Sequence, residues 1–366
     1  MYKKILLILI TITIIITGMT GCGVDIDKRN LVVGIGIDQG EHARYRVTLK
    51  IASVQSNPNE PGNNFFILSE EANSIAHAVE GMQAKSERLL DFSQMKVILM
   101  GEEIALKNVK NLLDYILRNP SVQMIAWMAV ARPSAQAVLQ IKEEVQRPID
   151  VYLYEEFTNM EQQSIYMMPV PLSEFYFKFG EKGVDAYLPI IEGKEDNIVV
   201  NRLAIFDKSG MRLELQKEEV MFFKLLTNNQ RKLFHFDFQT KEGKEHIVTE
   251  FRKPNVKYKL EGNTRPPKIK FHLQLTGKLE EVVDKNLPMD LTTYETQESQ
   301  EIKEKIINLL QKLQRKDLDP IGFGLHYLAK NWNPKSDWEK WEELKSNLMF
   351  EVTVHVKLRS DGLLKD

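Results

Sequence analysis

The sequence predicts an α+β protein of more than one domain, built from mixed β-sheets covered by helices. Three observations predict it. From residue 31 onward, short strand-patterned runs alternate with helical stripes, the mark of sheets with helices laid against them. The second half is dominated by strand patterns and ends on one. The 366 residues exceed the ~150 of a typical domain, and 43% of them are apolar, enough for more than one core.

The elements follow in chain order. Leu31 to Ile37 is a nearly unbroken apolar run and reads as a buried strand, with Asp38-Gln39-Gly40 turning the chain into a returning strand from Tyr45 to Val54. Pro58 and Pro61-Gly62, among Asn and Ser, mark a surface loop. Ser74 begins a helix whose Ile75, Ala78, Val79 and Met82 share a face. Met95 to Met100 is a strand, and Ala105 to Arg118 a helix striped by Val109, Leu112, Leu113, Ile116 and Leu117 until Asn119-Pro120 stops it. Gln123 to Ala131 is a strand, and Ser134 caps a helix carrying Ala135, Val138 and Leu139. Between Arg147 and Gly183, aromatic residues such as Tyr152, Tyr154 and Phe157 accompany the tract Met167-Met168-Pro169-Val170-Pro171, predicting a short helix and an extended connector.

Pro189 to Gly193, followed by Lys194-Glu195-Asp196, marks the boundary between an N-terminal α/β domain, 31–195, and a C-terminal α+β region, 196–366, divisible into two subdomains. Beyond it lie a strand from Ile198 to Phe206, a turn at Lys208-Ser209-Gly210 and a helix from Glu218 to Leu226. Leu233 to Phe238, His246 to Phe251, Val256 to Leu260 and Lys268 to Leu279 alternate as strands. Glu301 to Leu313 is a helix with Ile302, Ile306, Leu309, Leu310 and Leu313 on one face. Asp319-Pro320 starts another, with proline at its favoured first position. Met349 to Leu358 closes the chain as a strand, its Val352, Val354, Val356 and Leu358 facing one way.

Composition narrows the function. A net charge of −2 lacks the basic face that general nucleic-acid binding requires. One cysteine excludes an internal disulfide and a thiolate metal site. That residue, Cys22, follows Lys3-Lys4, twelve apolar or Thr residues from Ile5 to Ile16, and the small-residue exit Thr17-Gly18-Met19-Thr20-Gly21. This is the anatomy of a signal peptide, shorter than the ~20 residues of a spanning helix. Met19-Thr20-Gly21-Cys22 resembles the bacterial lipobox, in which the cysteine becomes the first mature residue and carries a diacylglycerol. Residues 1–21 are therefore expected to be a signal peptide and 22–30 a lipidated tether, held by acyl chains at ~0.8 kcal/mol per buried CH₂.

Catalytic constellations do not emerge. None of the seven histidines lies four residues from another, and HExxH and CxxC spacings are lacking. His235 and Asp237 share a strand face and read as a surface pair. Gly34-Ile35-Gly36 with Gly40 lacks the third glycine of a dinucleotide fingerprint and leads into a strand rather than a helix. Ser93-Gln94-Met95-Lys96 matches SxxK only formally, because the lysine opens a strand. Arg252, Lys253, Lys257, Lys259, Arg265, Lys268 and Lys270 read as the solvated side of strands rather than a lipid-binding patch. Trp338 and Trp341 share a helix face and, with Trp332, read as packing against the final strand. No cofactor, metal or catalytic residue is assigned, and the expectation is not an enzyme.

In this order and over this length, the motifs resemble the Ger(x)C family, the lipoprotein C subunits of spore germinant receptors. The lipobox at Cys22 precedes Leu31 to Asp38, similar to the family's strand ending Leu-Gly-Ile-Asp. Lys96 to Ala105 and Arg118-Asn119-Pro120 resemble the next stretches. The strongest match is Asp319-Pro320-Ile321-Gly322-Phe323-Gly324, followed by Trp332, Trp338, Val352 to Arg359 and Gly362. Two places depart: Gly23 to Arg29 stands where the family has Trp-Asp-Arg-Arg, and Asn201 where glycine is common. The resemblance implies a three-domain architecture and a non-enzymatic subunit on the outer face of the spore's inner membrane. It further implies assembly with a polytopic A subunit and a transporter-like B subunit, with Cys22 as the single functional residue to carry over. The alternative reading is a solute-binding envelope lipoprotein.

Overall fold

The computed structural model describes residues 2–5, 28–52, 65–141, 165–194, 197–227, 233–239, 246–261, 266–283, 291–330 and 334–359. Cys22, the loop at Pro58 to Gly62, Tyr152, Tyr154, Phe157, Arg265, Trp332 and Gly362 lie outside them. Among the described residues no helix is long and apolar enough to cross a membrane.

The first half of the chain supplies β1 (Arg29–Gln39), β2 (Tyr45–Ala52), β3 (Phe65–Ala72), β4 (Leu89–Asp91), β5 (Val97–Gly101), β6 (Trp127–Arg132), β7 (Val170–Pro171), β8 (Tyr187–Lys194), β9 (Asn197–Phe206) and β10 (Met211–Leu215). These form one sheet in the order β10-β9-β8-β6-β5-β1-β2-β3, with β4 beside β1 and β7 beside β6. Its centre, β1, β5, β6 and β8, is parallel, and antiparallel hairpins flank it on both sides. Parallel neighbours need crossovers. These contain α1 (Ile75–Ala84), α2 (Glu102–Lys107), α3 (Val109–Arg118), α4 (Ala135–Gln140) and α5 (Leu172–Gly180). The Ser74 and Ser134 hydroxyls cap α1 and α4, as their sequence positions predict. Helix α4 covers one face of the sheet over Val97, Leu99, Ala129 and Ala131, while the main core occupies the other.

A second sheet, β11 (Phe234–Gln239), β12 (His246–Glu261), β13 (Lys268–Val283) and β14 (Met349–Arg359), is antiparallel except that β14 runs parallel to β13. That return passes through α7 (Leu291–Arg315), α8 (Phe323–Lys330) and α9 (Pro334–Lys345). Before these, α6 (Lys217–Leu226) wedges between the sheets: Phe223 meets Tyr187 of β8 edge-on at 5.2 Å, and Phe222 meets Phe236 of β11 at 5.8 Å. One apolar core is therefore continuous through both. The α+β class and the mixed sheets match the sequence expectation.

Several elements depart from their predicted form. Residues 189–193, where the sequence pattern marks a boundary, lie within β8, which pairs antiparallel with β9 in the same sheet. The predicted helix 105–118 is two helices broken at Asn108, whose φ of −122° leaves the helical range. Two predicted strands merge into β12 through Pro254, the register slipping between Arg252 and Asn255 where Lys253 takes a φ of +50°. Helix α7 begins ten residues before Glu301. The helix expected from Pro320 starts at Phe323, because Gly322 has a φ of +85° and a turn precedes it.

Candidate functional site at the junction of the sheets

The motif Asp319 to Gly324 sits where the two halves of the chain meet. Gly183, with a φ of +76°, bends the chain just before β8. Its carbonyl accepts the Leu325 N–H at 2.7 Å, and Asp185 and Asp319 exchange backbone and side-chain bonds: Asp185 N–H donates to the Asp319 carbonyl at 3.0 Å, and Asp319 N–H to Asp185 Oδ2 at 2.7 Å. The Asp319 carboxylate then accepts three backbone N–H groups, from Gly322 and Phe323 on Oδ1 and from Gly324 on Oδ2, at 2.7–3.0 Å. That set caps α8 and explains why the chain turns before becoming helical.

Asp319 is part-buried beside the cleft described below, its carboxylate turned onto these backbone donors. Burial pushes its pKa up to about 6 despite the three N–H donors, with the nearby Asp185 carboxylate adding to the rise. Burial likewise raises Asp185, against the N–H of Asp319 and the charges of Lys208 and Lys345. Lys208 is lowered by burial and donates to the carbonyls of Lys178 and Val184 at 2.6 and 2.8 Å. Because both Asp319 oxygens are taken by backbone donors, this carboxylate works as a structural clamp.

Beside the clamp lies a cleft of about 600 Å³, lined by Leu313, Leu348, Phe350, Trp338, Trp341 and Lys182 among others. Trp341 is 2% exposed and packs on Tyr327, with ring centroids 5.5 Å apart, rather than solely on the last strand. Lys182 Nζ stands 5.5 Å over the Trp338 ring. An apolar recess with a few charges at its mouth suits a small molecule or a partner side chain.

The other residues singled out in the sequence fall elsewhere. Gly34 and Gly36 lie on β1 directly under α4, and a Cβ on Gly36 would meet Ala135 and Leu139 at 2.9 Å. They are packing glycines. Asp38, ending the same strand, accepts the N–H groups of Ala135 and Gln136 at 2.7 and 2.9 Å, so it caps α4 across 97 residues. Its oxygen fills the place a side chain on Gly101 would take, which couples the Leu31–Asp38 and Lys96–Ala105 stretches physically. His235 does not engage Asp237; it faces Glu280 at 3.2 Å and Glu250 at 4.0 Å across the sheet, while Asp237 faces His246. Ser93 lies in a short 3-10 turn rather than on a helix with Lys96. Lys259, Lys268 and Lys270 are ion-paired to Glu261 or Glu351 on exposed strand faces. Sequence reasoning missed Asp185, which carries no motif, and Glu298. The latter was signalled: it interrupts the apolar series Tyr294, Ile302, Ile306 at helical spacing.

Comparison with known proteins follows the same arrangement. Residues 23–193 match the family model described as spore germination protein N-terminal domain, and 201–362 the model described as spore germination B3/GerAC like, C-terminal. Spore germination protein GerQC of Bacillus cereus is 28% identical over 285 residues, covering 76% of this chain and 78% of that one. Spore germination protein KC of Bacillus subtilis (strain 168) is 22% identical over 415 residues, covering 99% and 96%. The crystal structure of the GerBC protein superposes with a TM-score of 0.58 at 18% identity, covering 91% of this chain and 99% of that one, which shows a shared fold.

Proposed function

Because the chain belongs to the Ger(x)C family of spore germination proteins, we propose that it is the lipid-anchored C subunit of a nutrient-responsive germinant receptor. The observation that carries this reading is the pair of family matches, running in order over nearly the whole chain after the lipobox. Cys22 is the acylated first residue of the mature protein, its tether, expected over 22–30, ends where Arg29 and Asn30 enter β1, and the outer face of the spore's inner membrane is its location. The A and B membrane subunits are its partners. A division of the chain near 195/196 is part of this proposal; the first sheet runs across that point, with β8 paired to β9. The role is one of assembly and signal transmission rather than catalysis.

Two experiments test it. Deletion of the gene abolishes germination by one nutrient class and leaves sporulation intact; unchanged germination with every nutrient contradicts the proposal. Cys22→Ala abolishes fatty-acid labelling and releases the protein from membranes; continued labelling contradicts the anchor.

The cleft beside Asp319 favours one second reading, a subunit or envelope lipoprotein with its own small-molecule ligand. Thermal-shift screening of the full chain against amino acids, sugars and nucleosides tests it. A saturable rise in melting temperature that Trp338→Ala removes supports that reading.

A further inference from the structure

Strands β1, β4, β5 and β6 are parallel, so their N-terminal ends point the same way; β4 starts level with Arg29, and β5 and β6 start level with Gly34, five residues further along β1. Arg29, where the described chain enters β1, pairs in register with Leu89, which is 52% exposed. Directly before β6 come Met124 and Ile125, 40% and 58% exposed, and the Gln123 side chain ties this segment to the Ser93 carbonyl at 2.8 Å. Helix α5 starts at the same place, with Ser173 N–H donating to the Met124 carbonyl at 2.9 Å. Tyr176 and Phe177, one turn further on the same helix face, are half exposed. Large apolar side chains are thus exposed toward the end of the sheet at which the parallel strands start, the end at which the chain enters β1. Isolated exposed apolar residues are ordinary; a group of them at one edge marks a contact surface.

The tether says what that contact is. The seven residue-to-residue steps from Cys22 to Arg29 span at most about 25 Å when fully extended, so an acylated Cys22 holds this end of the sheet close to the lipid surface. We propose that Leu89, Met124, Ile125, Tyr176 and Phe177 form a membrane-facing rim that dips into the bilayer interface and sets the orientation of the subunit. The inference rests on the lipid-anchor reading of Cys22. Apolar side chains with an amphipathic tyrosine suit the interfacial zone. The opposite end of β1, about 35 Å away, leads into a turn whose Glu41 and His42 are exposed.

The test uses the full-length lipoprotein in phosphatidylcholine vesicles. Acylation consumes the one native thiol, so Ile125→Cys offers a single site for an environment-sensitive fluorophore, with His42→Cys beyond the far end of β1 as the reference. The expected result is a blue-shifted probe at 125 that nitroxide-bearing lipids quench at least twofold, and an unshifted, unquenched probe at 42. Vesicle-bound protein whose probe at 125 reports water overturns the rim while leaving the anchor intact. Shielding at 125 that appears only when polytopic membrane subunits are present overturns it in favour of a protein interface. A second labelled thiol, at Cys22, with no flotation overturns the anchor and the rim with it.

Discussion

Trp341 lies against Gly324 with no space for a side chain between them. A Cβ built on Gly324 would stand 2.8 Å from the Cα of Gly183 and closer still to the indole nitrogen of Trp341. Two successive helices and the distant bend at Gly183 therefore meet at one point, and the motif's last glycine is required by packing.

Gly324→Ala forces that point apart and is expected to cost about 1–3 kcal/mol, the range for overpacking. The thermal unfolding midpoint checks it. Gly180→Ala is the control, since nothing lies within 4 Å of a Cβ there. Equal midpoints for the two variants would contradict the packing account.

Asp319→Asn keeps the shape but replaces one acceptor oxygen with a donor facing a backbone N–H. An unsatisfied buried group costs about 1–3 kcal/mol. The effect is expected locally as well as globally: the Leu325 amide, bonded to the Gly183 carbonyl, loses hydrogen-exchange protection before the β5 and β6 amides do.

Asp38→Ala removes the acceptors of the Ala135 and Gln136 N–H groups at the start of α4, leaving the Ser134 hydroxyl on Ala137, and is expected to destabilise by about 1–2 kcal/mol. Denaturant unfolding measures it. Because Asp38 also fills the space over Gly101, enlarging Gly101 and deleting Asp38 are expected to be non-additive, which a double-mutant cycle would register.

Glu298 gives the pH dependence. It is 0% exposed on α7, neither carboxylate oxygen makes a hydrogen bond of normal geometry, and burial pushes its pKa up to about 8, with Thr249 offsetting this only in part. The unfolded chain titrates near 4.3. The folded state therefore holds the proton more tightly, and the Glu298 contribution is complete below about pH 4, falls by up to ~1.4 kcal/mol per unit between these values, and levels off above about 8. Glu298→Gln removes that slope and stabilises the protein at pH 8. Parallel pH–stability curves for the two proteins would contradict it.

What could be read from the sequence follows the range of the interaction. Local signals served well: Ser74 and Ser134 cap their helices, and β14 alternates between buried and exposed residues. Residues whose meaning depends on distant partners were opaque. Gly36 is explained by Ala135 and Leu139, and Asp319 by Asp185, 134 residues away. Strand β8 hid because Pro189 and Gly193 look like loop punctuation, whereas its first five residues are buried in the middle of a sheet. The first turns of α7 are polar and helical only because Tyr294 and Glu298 face the core. The junction motif was recognisable as a motif; its job as a clamp needed the fold.

The central claim is assembly into a membrane receptor, and affinity capture from detergent-solubilised spore inner membranes tests it most directly. A tagged full-length chain is predicted to bring down two polytopic membrane subunits in comparable yield, identified by mass spectrometry. A chain that emerges alone, from membranes in which those subunits are present, would contradict the claim.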